Sequence, residues 1–212
     1  MGLLVIVFLC FFWQAIYFLM GLQQGSLPPP EFYLFVAIGV AVIYALIMAA
    51  NVYVMEHDKN TFPFLRNLPV SPLAIALGKV GWILCGTTLV LIGNLLLCAG
   101  WFLLLGFPTW GNPEDAKAIL FGLAPALLEA LVWGILWSTR CRHAATACLG
   151  SAACVFLVFL SMLFIADLFG IRGGTDLLFI ILPFRLAVIL IVGIFAARSA
   201  LRWFDFSIKD TR

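Results

Sequence analysis

Long uncharged runs separated by short polar clusters organise this chain. In hydrocarbon every backbone N–H and C=O must be satisfied internally, so each run of about 20 apolar residues predicts a spanning helix about 30 Å long. Six runs qualify: Gly2 to Met20, Phe32 to Met55, Val80 to Leu105, Lys117 to Trp137, Ala144 to Ala166 and Phe184 to Leu201. Before the last of them the apolar stretch already starts near Leu177, and Pro183 and Arg185 interrupt it. That interruption predicts a short interfacial or re-entrant helix from Thr175 to Leu182, followed by a final span that opens on proline. The expected fold is all-α: one polytopic transmembrane domain over residues 1–212.

Composition agrees with the pattern. Of the 212 residues 65% are hydrophobic and 10% charged, which is far from the balance of a water-soluble domain. The net charge of +2 hides an asymmetry. Lys59, Arg66, Lys79, Arg140, Arg142, Arg198, Arg202, Lys209 and Arg212 fall on one side of the six spans. Lys117, Arg172 and Arg185 fall on the other, and the first loop, Gly21 to Glu31, has no basic residue. Basic residues collect on the cytoplasmic side, so both termini and the segment from Glu56 to Lys79 are expected in the cytosol of a multi-pass protein of the cell (inner) membrane. The charge pattern describes topology and gives no reason to expect a nucleic-acid partner.

No basic residue precedes the first apolar run and no small-x-small cleavage site follows Met20, so the first span is expected to be retained. Cys10, Cys85, Cys98, Cys148 and Cys154 lie in spans and Cys141 in a turn, a distribution without a disulfide framework. Cys141-Arg-His143 lacks a second ligand pair and reads as structural rather than metal-binding. Small residues recur at helical spacing, which is how membrane helices approach closely. Ala37, Ala41, Ala45 and Ala49 form one ladder, and Gly122, Ala126, Ala130 and Gly134 form another. Gly86, Gly93 and Gly100 repeat at seven, and the fifth span opens with Ala144, Ala145, Ala147, Gly150, Ser151, Ala152 and Ala153. These stripes are expected to face neighbours within the bundle, or else a second subunit.

The longest polar interruption runs from Glu56 to Lys79. Ser71-Pro72 is a helix start, with Ser71 as the cap and Pro72 at the first helical position, so the third helix should begin in the cytosol and enter the membrane near Lys79. Upstream, Asn60 or Thr61 can cap a short helix whose Phe64, Leu65 and Leu68 share an apolar face, stopped by Pro69. A short amphipathic helix across the cytoplasmic mouth of two spans is the expectation.

This segment resembles the first cytoplasmic loop of ABC-2 type permeases, the membrane subunits of ATP-binding-cassette exporters. Their usual pattern is Glu-Arg-Glu-Arg-Gly-Thr-Leu-Glu-x-Leu-Leu-x-Leu-Pro-Val-Ser, then an Ile, then Gly-Lys. Glu56, Asp58, Lys59, Thr61, Phe64, Leu65, Leu68, Pro69, Val70, Ser71, Ile75, Gly78 and Lys79 follow it without a gap. Six spans, a tail containing Ala200-Leu-Arg-Trp-Phe204 and a broken segment before the last span are similar too. Asn60 departs from the family's Gly and Pro63 from its acid, and the charged elbow helix that usually precedes the family's first span either lies upstream of Met1 or is absent. The resemblance implies that the loop holds a coupling helix seated in a groove of a separate ATPase subunit, with Glu56, Thr61, Phe64, Leu65, Leu68, Pro69 and Lys79 at that contact. It also implies a dimer of permeases, with a second copy or a paralogue, in which ATP and Mg belong to the ATPase chains.

The chain has no nucleotide-binding loop of its own. Around Gly78-Lys79, Leu73 stands where the first glycine is needed and Val80 where a Ser or Thr would follow. Nor is it expected to be an enzyme. Glu129, in the middle of the fourth span, must be paired, protonated or turned to a cavity, because a carboxylate in lipid costs several kcal/mol. Asn51 and Asn94 read as interhelical hydrogen-bonders rather than ligands. A haem-export-type permease of similar size is the nearest alternative. A polytopic scaffold, or an intramembrane enzyme with Glu129 as its acid, is the alternative from another class, and against the enzyme no second carboxylate, His pair or Ser/Lys dyad lies at matching depth.

Overall fold

The computed structural model describes residues 30–58, 70–105, 113–168 and 175–209. They form six helices and, among the described residues, no strand: α1 Pro30–Asn51, α2 Val54–Asp58, α3 Pro72–Leu105, α4 Pro113–Ser138, α5 Ala144–Leu168 and α6 Thr175–Lys209. Four helical stretches are long and apolar enough to cross a membrane: Leu34–Glu56, Pro72–Gly100, Ala144–Met162 and Leu182–Arg202. Pro125–Ser138 is a shorter apolar piece. The first expected span and the 61–68 helix lie outside the described residues.

Helix starts follow local chemistry. Ser71 Oγ accepts the Ala74 amide at 3.2 Å and Pro72 is the first helical residue, as its missing N–H allows. Pro113 likewise opens α4. The second expected span is divided: α1 ends at Asn51, a turn at Val52 and Tyr53 intervenes, and α2 carries Glu56.

The segment before the last span differs from expectation. Instead of a short helix, a break and a new start, one helix of 35 residues runs through Pro183. A proline forfeits one backbone hydrogen bond, whereas stopping a helix in apolar surroundings would orphan several N–H and C=O groups at each new end. Continuing is the smaller cost. Pro125 inside α4 is tolerated in the same way.

Helix α1 is the hub, packed against α3, α4 and α5, while α4 also packs against α5 and α6. The two small-residue ladders explain the α1 and α4 contact. Ala37, Ala41, Ala45 and Ala49 are fully buried, as is Ala130. A Cβ placed on Gly134 would lie 2.5 Å from Ala49 Cβ and 3.1 Å from the Ala50 backbone nitrogen, so the helices approach to a distance that only glycine permits here. On α3 the repeat at seven is used once: a Cβ on Gly86 would meet the Tyr44 ring, whereas Gly93 and Gly100 have nothing within 4 Å.

The core combines Ala45, Ala49, Tyr53, Ile83, Ala130, Leu131, Ile135, Val192 and Ala196. Outward positions are equally apolar, including Trp82, Leu96 and Leu103 of α3, Phe156, Leu157 and Phe164 of α5, and Leu190 and Phe195 of α6. Soluble domains rarely expose apolar surface on this scale, and helices that are hydrophobic on every face suit lipid.

Candidate functional site

Two charge pairs stand out among the described residues. The first lies between α4 and α6. Arg185 Nε donates to Glu129 Oε1 at 2.7 Å and Nη2 donates to Oε2 at 3.0 Å, a two-pronged arrangement that matches the guanidinium fork to the carboxylate. Glu129 is 1% exposed and Arg185 8%. Of the three fates open to Glu129, pairing is therefore the one observed. Its partner is the residue that the charge pattern put with the outer loop cations. Arg185 belongs to the bundle interior.

Position explains the pairing. Arg185 lies two residues after Pro183 in an apolar stretch, so in a continuous helix it must turn inward, and Glu129 faces the same seam. Further along this seam Val132 packs 3.6 Å from where a Cβ on Gly193 would be, and the Thr139 and Ser199 hydroxyls lie 2.7 Å apart. The spacings 129 to 185, 132 to 193 and 139 to 199 describe two parallel helices held at three levels.

The second pair joins α2 to α3. Lys79 Nζ lies 2.5 Å from Glu56 Oε1, accepts a place 4.2 Å above the Tyr53 ring and donates to the Val52 carbonyl at 3.4 Å. Both side chains are mostly buried, at 12% exposure for Lys79 and 16% for Glu56. The two ends of the segment from Glu56 to Lys79 are thereby brought together. Thr61, Phe64, Leu65, Leu68 and Pro69, expected at the coupling contact, lie outside the described residues.

The two asparagines serve mainly their own helices. Asn94 Nδ2 donates to the Val90 carbonyl at 2.9 Å, and its buried Oδ1 has no hydrogen-bond partner. Asn51 Nδ2 donates to Ile47 O at 2.7 Å and reaches Cys148 Sγ of α5 at 3.7 Å. Trp137 Nε1 donates to Cys154 Sγ at 3.3 Å. Cys85, Cys141, Cys148 and Cys154 are free thiols, and among the described residues no three His, Cys, Asp or Glu side chains gather as a metal ion would require.

Fold and charge pairs together define an all-helical protein with several apolar helices suited to a membrane. Compared with family models, curated proteins and solved structures, the chain matches none.

Proposed function

We propose that the chain is the membrane subunit of an ATP-binding-cassette exporter of the ABC-2 type, with six spans, both termini in the cytosol of the cell membrane, and energy supplied by a separate ATPase subunit. The observation that carries this reading is the segment from Glu56 to Lys79. Its residues follow the permease loop pattern without a gap, and its flanks are the hub helix α1, continued by α2, and the long helix α3. A push on such a loop reaches the whole bundle, because α1 packs against α3, α4 and α5.

In this mechanism the apolar side chains Phe64, Leu65 and Leu68 fill a groove on the ATPase subunit. Charged residues around them set register more than affinity. Closure of the ATPase pair moves the loop, and the loop moves α1 and α3. A second permease copy or a paralogue completes the pathway. The intramembrane-enzyme alternative loses ground, since Arg185 engages both oxygens of Glu129 and the pair has the form of a structural charge lock.

Phe64→Asp or Leu65→Asp would force a carboxylate into the groove. Either is expected to cut ATP hydrolysis coupled to export at least about tenfold, the effect of losing a buried interface anchor, while leaving the bundle folded. Lys59→Ala, a rim change, should alter it less than about twofold. Size-exclusion profiles establish folding, and ATPase activity of the reconstituted complex gives the readout. Full coupling in both aspartate variants would remove the loop from the contact.

A further inference from the structure

We propose that α6 carries a site for one anionic phospholipid, at the end of the bundle where it meets the turn between α4 and α5. Arg198 and Arg202 grip the headgroup phosphate, and the apolar flank next to them takes an acyl chain. The site follows from the way α6 is turned. Its inward face is taken up by Val192, Ala196 and Ala200 in the core and by Ser199, whose hydroxyl lies 2.7 Å from that of Thr139. Counted at about 100° per residue from Ser199, Arg198 and Arg202 fall on one flank, about 40° apart. Both are exposed. Two guanidinium groups four residues apart on one helix face repel each other, and an anion held between them removes the repulsion. Phosphate suits the place, because its oxygens match the guanidinium fork. Arg140 adds a third exposed cation, since it follows Thr139 directly across the contact with Ser199. Whereas Lys79 and Arg185 each have a carboxylate, among the described residues no ion pair holds Arg140, Arg198 or Arg202.

Towards the middle of the membrane the same flank is apolar. Phe184, Ile191, Ile194 and Phe195 lie on it at spacings that keep them in line with Arg198, and all four are exposed. From Phe184 to Arg198 the helix rises about 21 Å, more than the half of a roughly 30 Å hydrocarbon core that one leaflet fills. The membrane-suited stretch of α6 is Leu182–Arg202, so the arginines stand in its last turns, where headgroups lie. A free phosphate ion gains nothing from the apolar strip. A phospholipid meets both parts, with the arginine stems lying along its glycerol end and their charged tips on the phosphate. The proposal needs only a bilayer around α6 and is independent of the permease reading.

Native mass spectrometry of the full chain in a neutral detergent, titrated with phosphatidylglycerol or phosphatidylcholine, tests the site. One phosphatidylglycerol should bind saturably, at least about tenfold more tightly than phosphatidylcholine, and excess inorganic phosphate should not displace it. Arg198→Gln and Arg202→Gln should each weaken it about fivefold or more, the scale of one arginine at an anionic bilayer surface. Ile191→Ser should also weaken it, through the acyl strip alone. Arg142→Gln is the control: Arg142 is equally exposed but lies on the α5 side of the turn, and its loss should change binding less than about twofold. All these side chains are exposed, so each variant should melt like wild type. Equal affinity for the two lipids overturns the proposal, as does a loss in Arg142→Gln as large as in Arg198→Gln, which would describe a diffuse cationic surface. Displacement by inorganic phosphate, with Ile191→Ser like wild type, overturns the lipid as occupant.

Discussion

Replacing Glu129 by leucine is expected to destabilise the protein by about 3–5 kcal/mol, because the buried Arg185 loses the carboxylate that engages its Nε and Nη2. Arg185→Leu should cost a comparable amount for the mirror reason. The double replacement should recover most of the loss, since two leucines of suitable volume have no charge to desolvate. Glu129→Gln falls between, as the amide keeps an acceptor for the guanidinium but gives up the charge. Thermal unfolding in detergent, followed by the loss of monodisperse protein, measures all four. Additive losses in the double variant would mean that the two side chains do not act as a pair.

The second large effect is steric. Gly134→Ala gains up to about 1 kcal/mol of helix propensity, but its new Cβ meets Ala49 Cβ at 2.5 Å and backbone atoms of Ala49 and Ala50 near 3.1 to 3.2 Å. Backbone cannot turn aside as a flexible side chain can, so overpacking of about 1–3 kcal/mol wins, and Gly134→Val should exceed it. Gly93→Ala, with nothing within 4 Å, provides the contrast: it should be neutral or slightly stabilising in the same melting assay. A Gly134→Val protein as stable as wild type would mean that α1 and α4 do not approach this closely.

What the sequence disclosed depended on how local the cause was. The Ser71-Pro72 start is legible because cap and proline act within one turn. The alanine ladder of α1 and the glycine of α4 are legible as contact surfaces, since spacing alone puts small residues on one face. Which ladder meets which is a tertiary fact. Gly93 and Gly100 share a repeat with Gly86 and yet face open space. The course of α6 was misleading because Pro183 and Arg185 together imitate a loop. Proline is a breaker where water can take up freed backbone groups, and a cation belongs at an interface unless a counter-charge waits for it. Glu129 was that counter-charge, 56 residues away, and the signal available was simply that two charges of opposite sign each occupied an apolar run. Glu56 and Lys79 could be placed at the ends of the same segment, but only the turn after Asn51 brings them into contact.

The most direct measurement of the central claim is photo-crosslinking from position 64 in intact membranes, with a photoreactive amino acid in place of Phe64. The account predicts an adduct with a separate chain that binds ATP, its yield differing between the nucleotide-free state and a state with ATP bound and hydrolysis blocked. Adducts formed only with lipid or with the chain itself, in every nucleotide state, would contradict it.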